Sequence, residues 1–479
     1  MRRLIICSAI LFFSVNTLSQ NVGIGTSSPA EKLHIAGNLK ADTIKPSAIK
    51  LTLNAGAGKV LTSDATGNAS WEERSAGGAA AGNIGYGSWG DCGTNSIITE
   101  YQPVSDSNRN ATWLGGSVSI SGDFAFVGAE LTDIGANGNQ GSVYVYKHNG
   151  ANWVQFAVLT DAAGAAGDNF GVSVSVSGNY AIVGSSGAAV GANDNQGAAF
   201  IYNFNGSNWV LMQKITDPTG AAGDGFGSSV SISGSYAFIG SPNDDITINS
   251  NQGSVSIFKL GGNTLTVAQK ITNSSGSAND IFGNSVAISG TYAIVGAPND
   301  DNGGILEAGS ASVYWFNGTA WTLRFKYEGG TAGYYLGYCV AIDGNCAVAG
   351  VPSVGYGGAY IFTNKNNNWV EYHTDYISNT TESATLFGRH ISVSGNYMLV
   401  GAQSNSQVAN DLSISRAFLY IKVGSHWQKL QNITDPLGGS SYLSYSGASV
   451  AIDGFTKRFI IGAPWTFVAK GKAIFGKVN

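Results

Sequence analysis

Asp244–Asp245 and Asp300–Asp301 stand in two copies of Pro-Asn-Asp-Asp. Paired carboxylates of this kind are the oxygen donors that a hard cation such as Ca2+ selects. Asp161, Asp168, Asp194, Asp217, Asp224 and Asp280 lie in similar short stretches rich in Gly and Asn. Two chemistries suit the set. One is binding of a cation or polar ligand on an acidic face, with Ca2+ held by Asp244, Asp245, Asp300 and Asp301. The other is turn capping, in which Asp168, Asp224 and Asp280 accept backbone N–H groups just before a recurring Phe-Gly. Trp465 and Tyr356 add aromatic rings beside these carboxylates. With Asp194 they are the candidate ligand contacts, suited to stacking on a sugar or anchoring a protein, with plain loop packing as the alternative. No catalytic residue is expected. His34, His148, His373, His390 and His426 share no common position, and neither a Gly-x-Ser-x-Gly elbow nor a His-Glu-x-x-His pair occurs.

The elements that must carry these residues are written in a repeat. "DNFGVSVSVSGNYAIVG" at Asp168–Gly184 returns as "DGFGSSVSISGSYAFIG" and "DIFGNSVAISGTYAIVG". The glycine that opens the phrase falls at Gly115, Gly171, Gly227, Gly283, Gly337, Gly388 and Gly447, at intervals of 51 to 59 residues. Seven copies at that period indicate a propeller or an array. Within a copy, "VSVSVSG" alternates as a half-buried strand does, and "SGNY" supplies a tight turn. "YAIVG" is apolar enough to be buried on both faces. "GAAFIYNF" and "NWVLMQKITD" give a third and a fourth strand, which makes one four-stranded antiparallel blade per copy. Trp153, Trp209, Trp321, Trp369 and Trp427 recur at the start of the fourth strand, which predicts packing between blades. The loops joining second to third strands, and blade to blade, are expected on one face with the carboxylates.

The ends of the array are complementary. The seventh copy stops after its third strand at "GKAIFGKVN", and "SIITEYQPVSD" before the first copy matches a fourth strand. The leading strand is therefore expected to complete blade seven and hide a sheet edge. The expected fold class is all-β: a seven-bladed β-propeller of four-stranded antiparallel blades, closed by an N-terminal strand and preceded by a short β-rich stalk.

The phrase of Phe-Gly, "SVSISG", "YAIVGAP" and "GSVYVY" resembles the FG-GAP repeat family over nearly all of residues 96–479. The "AAGDGFG" that ends at Gly227 is one recognisable variant. That resemblance implies a seven-bladed propeller like the head of integrin α chains. The family's calcium motif, Asp-x-Asp-x-Asp-Gly in the first hairpin, is not matched. Those hairpins hold single carboxylates at Asp123, Asp343 and Asp453, so the family's sites are not carried over. The segment "VGIGTSSPAEKLHIAG" resembles the N-terminal segment of secreted bacterial fibre and adhesin-like proteins, which implies a β-rich stalk, often trimeric.

The remaining organisation follows from composition. Arg2 and Arg3 precede an apolar run from Leu4 to Val15, with small residues at Thr17 and Ser19. Residues 1–19 read as a secretory signal peptide, too short to span a bilayer. No transmembrane segment is expected in the mature chain. Residues 20–74 form the stalk, 75–95 a Gly/Ala-rich linker, and 96–479 the propeller. The chain has 479 residues, 67 of them Gly, and a net charge of -5. That balance carries no basic footprint for nucleic acid. Cys92, Cys339 and Cys346 survive cleavage, and the last two sit close to the limit for a disulfide across one hairpin. The expected function is recognition: an exported or cell-surface adhesion protein that binds a protein or glycan through the loop face, with a homotrimer through the stalk. A structural module of a larger secreted assembly is the second expectation, and a carbohydrate-active enzyme the third.

Overall fold

Alternation in "VSVSVS" is a strand signal, and what lies on each side of that strand decides the fold. The structure is a computed structural model. It describes residues 22–24, 33–35, 59–63, 69–73, 98–105, 113–262, 264–352, 357–365, 368–378, 385–404, 416–433, 449–464 and 471–478. Residues 1–19, expected as a signal peptide, residues 75–95, expected as a linker, and Cys92, Tyr356 and Trp465 lie outside the described residues. Met1–Thr94 and Asn95–Asn479 form separate units. In the first, Val22–Ile24 pairs in parallel with Leu33–Ile35, and Lys59–Ser63 pairs antiparallel with Ala69–Glu73.

The second unit is a seven-bladed β-propeller of four-stranded antiparallel sheets. Blade two shows the plan: Phe170–Ser177, Tyr180–Ser185, Ala198–Phe204 and Trp209–Ile215 pair in that order from the axis outward. Seven apolar cores lie between blades, one at each seam. The second strand explains why. Val183 faces the core shared with blade one, while its neighbour Ile182 faces the core shared with blade three. A strand buried on both faces cannot be solvated, so a lone blade would expose both sets.

The ring closes as the complementary ends predict. Ile98–Ser105 is the outermost strand of blade seven, beside Lys472–Val478, with Val104 opposite Ala473 and Ile98 opposite Val478. Pro103 sits on this outermost strand, where a missing N–H costs no ladder bond on the open side. The outermost strands of blades one to four and six carry a register shift near mid-length, as does the closing strand at its Ile98 end. Such bulges blunt edges that would otherwise template pairing with another chain.

The serines of the first strand stitch the blades together. Ser119, Ser175, Ser231 and Ser392 accept the N–H of Val176, Ile232, Ile288 and Ile452 at 3.0–3.1 Å. Ser117, Ser173 and Ser229 donate to the carbonyls of Gly171, Gly227 and Gly283, and Ser449 repeats the bond to Gly115 across the closing seam. Cys339 takes the place of such a serine: the Ile391 N–H donates to its Sγ at 3.2 Å. Burial pushes that thiol up to about 11, so it stays protonated and inert.

The cysteine pairing does not form. Cys339 lies opposite Gly350 and Cys346 opposite Asp343. Four residues of strand, roughly 13 Å, separate the two rungs, and neither cysteine is in a disulfide. The tryptophans do pack between blades. Trp209 meets Phe124 and Phe126 of blade one at 5.2 and 5.0 Å. Trp321 meets Phe238 at 4.8 Å, and Trp153 stacks on Phe475 across the closing seam at 4.7 Å. No helix among the described residues is long and apolar enough to cross a membrane.

The candidate binding face

The second-to-third-strand loops and the blade-to-blade connections meet on one face, held there by a repeated amide network. In blade one the Gln140 Nε2 donates to the Asp161 carbonyl at 2.6 Å, and the Asn137 Nδ2 donates to the Gly164 carbonyl at 3.0 Å. Gln196 with Asn193, and Gln252 with Asn249, repeat both bonds in blades two and three. The Phe of Phe-Gly plugs the seam beneath: Phe170, Phe226 and Phe282 are buried, and their N–H groups donate to the carbonyls of Gln140, Gln196 and Gln252.

The capping reading of the repeated aspartates holds geometrically. Asp168, Asp224 and Asp280 accept the N–H of the residue three positions earlier, Ala165, Ala221 and Ser277, at 2.6–2.8 Å. All three are buried. Burial pushes the Asp280 carboxyl up to about 6, with Asp300 and Asp301 adding to the effect and the Ser277 N–H opposing it.

The Asp-Asp pairs diverge. The first member of each pair is met by a lysine from its own blade: Lys270 Nζ lies 2.6 Å from Asp244, and Lys326 Nζ lies 2.9 Å from Asp300. Lys270 also reaches Asp217 of the preceding blade at 2.9 Å, as Lys214 reaches Asp161 at 3.0 Å. Burial opposes the charge on Asp217, but the Lys270 ammonium and the Thr219 N–H and hydroxyl outweigh it and hold that carboxyl below its usual range. The second members, Asp245 and Asp301, accept the loop N–H groups of Asn251 and Glu307 at 2.8 Å. The cation that meets the first carboxylate of each pair is thus an ammonium of the chain itself. Among the described residues no three acidic, His or Cys side chains converge as a metal would need. Asp194 is exposed at a loop tip, and its carbonyl accepts the Gly223 N–H.

The central cavity, of about 350 Å³, is lined by the first strands of all seven blades. Its wall is serine hydroxyls and aliphatic side chains, and Asp343 is the one ionisable group among the lining residues. That carboxylate already accepts the Gly395 N–H and the Ser289 hydroxyl. Asp453 accepts the Gly122 N–H in the same manner across the closing seam. The single carboxylates of the first hairpins are therefore partners of neighbouring turns. His390 sits on the first strand of blade six. Burial, with the Arg389 charge beside it, pushes it down to about 3, so its ring is neutral.

Glu130 escaped notice in the sequence. It opens a loop where the other blades carry Ser186, Pro242, Pro298, Pro352, Gln403 and Pro464, none of them ionisable, and its side chain lies over Gly116 in space that a Cβ would fill. Its Oε2 is buried without a partner, and burial raises the carboxyl to about 7 against the small opposing effect of its own backbone N–H. Between pH 4.5 and about 7 the unfolded chain ionises this group while the folded chain holds the proton. Stability therefore falls as pH rises through that window and levels off above it. Relative to Glu130→Gln, the wild type is expected to lose about 2–3 kcal/mol between pH about 4.5 and pH about 8. Urea unfolding at the two pH values measures it. Parallel pH dependence in both proteins would mean that the carboxyl ionises freely.

A model described as FG-GAP repeat matches residues 105–146, 153–202, 209–258 and 265–314, and one described as LVIVD repeat matches 388–413. Each of the four FG-GAP matches begins on the outermost strand of the blade before and ends in a third strand. The sequence repeat thus runs one strand out of phase with the blade. No curated protein matches the chain. Among solved structures, a protein from Lactobacillus plantarum is similar at 13% identity over 67% of this chain and 85% of its own, with a TM-score of 0.44. A chain of a mitotic checkpoint complex is similar at 12% identity over 81% and 98%, also at 0.44.

Proposed function

Taking as premise that this chain is an FG-GAP β-propeller protein, we propose that it is an exported recognition protein that binds a protein or glycan through its loop face. A fold of this kind suggests an interaction module, and the site must supply the rest. The observation that carries the reading is the opposite placement of loops and chain entrance. Ser105 pairs with Lys472 at the loop end of blade seven, whereas Ile98 pairs with Val478 at the end where the short turns lie. The chain therefore enters the ring on the turn face, and the long loops face away from that point. The loops are already ordered by the Gln and Asn bonds, so binding loses little further conformational entropy. Arg2, Arg3 and the apolar run after them support export.

Two measurements test this. Mass spectrometry of the protein from its native cells is expected to find it outside the cytoplasm with a new N-terminus after Ser19. An intact Met1 in the cytoplasmic fraction would overturn export. Glycan arrays and pull-downs with the full mature chain are expected to give a ligand released by loop-face substitutions; release only by turn-face substitutions such as Phe455→Ala would overturn the loop-face assignment. The stalk resemblance adds a trimer, which would multiply attachment through effective concentration. Light scattering is expected to give three times the monomer mass, and a monomer would remove the trimer while leaving the recognition reading in place.

A further inference from the structure

Four tyrosines gather on the loop side of the seam between blades four and five, Tyr327, Tyr334, Tyr360 and Tyr376, and Tyr335 and Tyr338 follow Tyr334 along the same connection. They stand where other blades keep their ionic framework. Tyr376 pairs across the strands with Tyr360, at the position that Lys270 and Lys326 hold opposite Ser256 and Ser312. Tyr334 stands where the three preceding connections have the capping aspartates Asp168, Asp224 and Asp280. Gly358 makes the room: a Cβ there would collide with the Tyr376 hydroxyl, and the equivalent residues of blades three and four are Ser254 and Ser310.

The rings form a continuous floor. Tyr360 lies 4.9 Å from Tyr376 and 5.2 Å from Tyr327, centre to centre. Tyr376 keeps 41% of its surface exposed. Polar groups meet the two tyrosines that follow Tyr334. The Tyr335 hydroxyl donates to Glu307 Oε2 at 2.6 Å, and the Arg389 guanidinium lies 5.3 Å above the Tyr338 ring. Half-buried rings present apolar faces for C–H groups, and the carboxylate and guanidinium on their neighbours offer a planar acceptor and a planar donor for hydroxyls. That is the complement of a sugar. The mixed charge at the rim is no cradle for a polyanion, and the rings are too narrowly exposed to anchor the broad apolar centre of a protein interface.

We propose that this tyrosine floor binds a neutral saccharide, with Tyr376 as the stacking platform and Glu307 and Arg389 as hydroxyl partners. The proposal rests on the loop-face reading above. A neutral glycan array probed with the full chain tests it, with Tyr376→Ala, Tyr376→Phe and, at the tip of the blade-three loop where Ile248 is 93% exposed, Ile248→Ala compared at matched melting temperature. Wild type and Ile248→Ala are expected to bind the same glycans. Tyr376→Ala is expected to lose at least tenfold in affinity, and Tyr376→Phe, which keeps the ring, only a few-fold. Equal binding by wild type and Tyr376→Ala would overturn the proposal, as would an array with no bound glycan. A protein partner released by Tyr376→Ala would do so too. Loss on Ile248→Ala alone would sink the tyrosine floor and leave the loop face standing; loss on turn-face substitutions alone would sink both.

Discussion

Removing Ile98–Ser105 is expected to destroy the folded ring, although the deletion touches the outermost strand of one blade. Seven residue pairs join this strand to Lys472–Val478. The strand also holds blade one: Gln102 Nε2 donates to the Trp153 carbonyl at 2.6 Å, and the Trp153 N–H donates to Gln102 Oε1 at 2.8 Å. The same two-bond clamp joins Gln213 to Leu265 and Gln269 to Trp321, so it is a feature of the outer rim. Losing the clamp and ladder, at about 1 kcal/mol for each bond, removes on the order of 5–8 kcal/mol. A domain's whole stability is about 5–15 kcal/mol. The deleted protein is expected to lose its cooperative thermal transition and aggregate through the exposed edge of Lys472–Val478. A synthetic peptide of residues 96–106 added in trans should restore the transition in part. An unchanged melting temperature after the deletion would mean that closure lies elsewhere.

Gln102 also shows where the sequence stops being readable. The strand that contains it could be assigned because one missing and one surplus strand are visible as a deficit in a repeat. The clamp could not, because Gln102 and Trp153 are 51 residues apart and nothing in either local pattern names the other. The aspartates divide in the same way. Asp168, Asp224 and Asp280 act within three residues, and local turn chemistry predicts their role. Asp244 and Asp300 meet lysines 26 residues further along the chain, two strands away. Two adjacent carboxylates look like a cation site until the fold supplies the ammonium. Cys339 and Cys346 share one hairpin, but Cys346 stands at its turn and Cys339 four rungs away, a distance that only the register reveals. The tyrosines of "KYEGGTAGYYLGY" read as loop residues, and only the pairing of Tyr360 with Tyr376 gathers them onto one floor.

Gly184→Ala is expected to cost about 3–5 kcal/mol, at the upper end for one methyl group. Gly184 is the last residue but one of the second strand of blade two and does not lie in the left-handed region, so its requirement is for space alone. A Cβ there would fall well under 3.0 Å from the Gly227 carbonyl oxygen of the next blade and from Ser173 Oγ. Gly128, Gly240, Gly296, Gly350 and Gly462 meet the corresponding carbonyls of Gly171, Gly283, Gly337, Gly388 and Gly115 in the same way. Each obstacle is the backbone of the Phe-Gly glycine, whose own φ, +86° to +97° across these copies, keeps it against the neighbouring sheet. Backbone locked between two blades cannot turn aside as a side chain can, so the seam must part or the strand must shift register. Gly178 in the adjacent turn supplies the contrast. It has a φ of +57° with open space around it, and its change to alanine costs only the left-handed conformation, about 1–2 kcal/mol. Urea unfolding of the two variants separates the causes. Equal losses would show that torsion, not approach, selects these glycines. Adding Ser173→Ala to Gly184→Ala should recover little, because the hydroxyl yields to the methyl group and the Gly227 carbonyl does not.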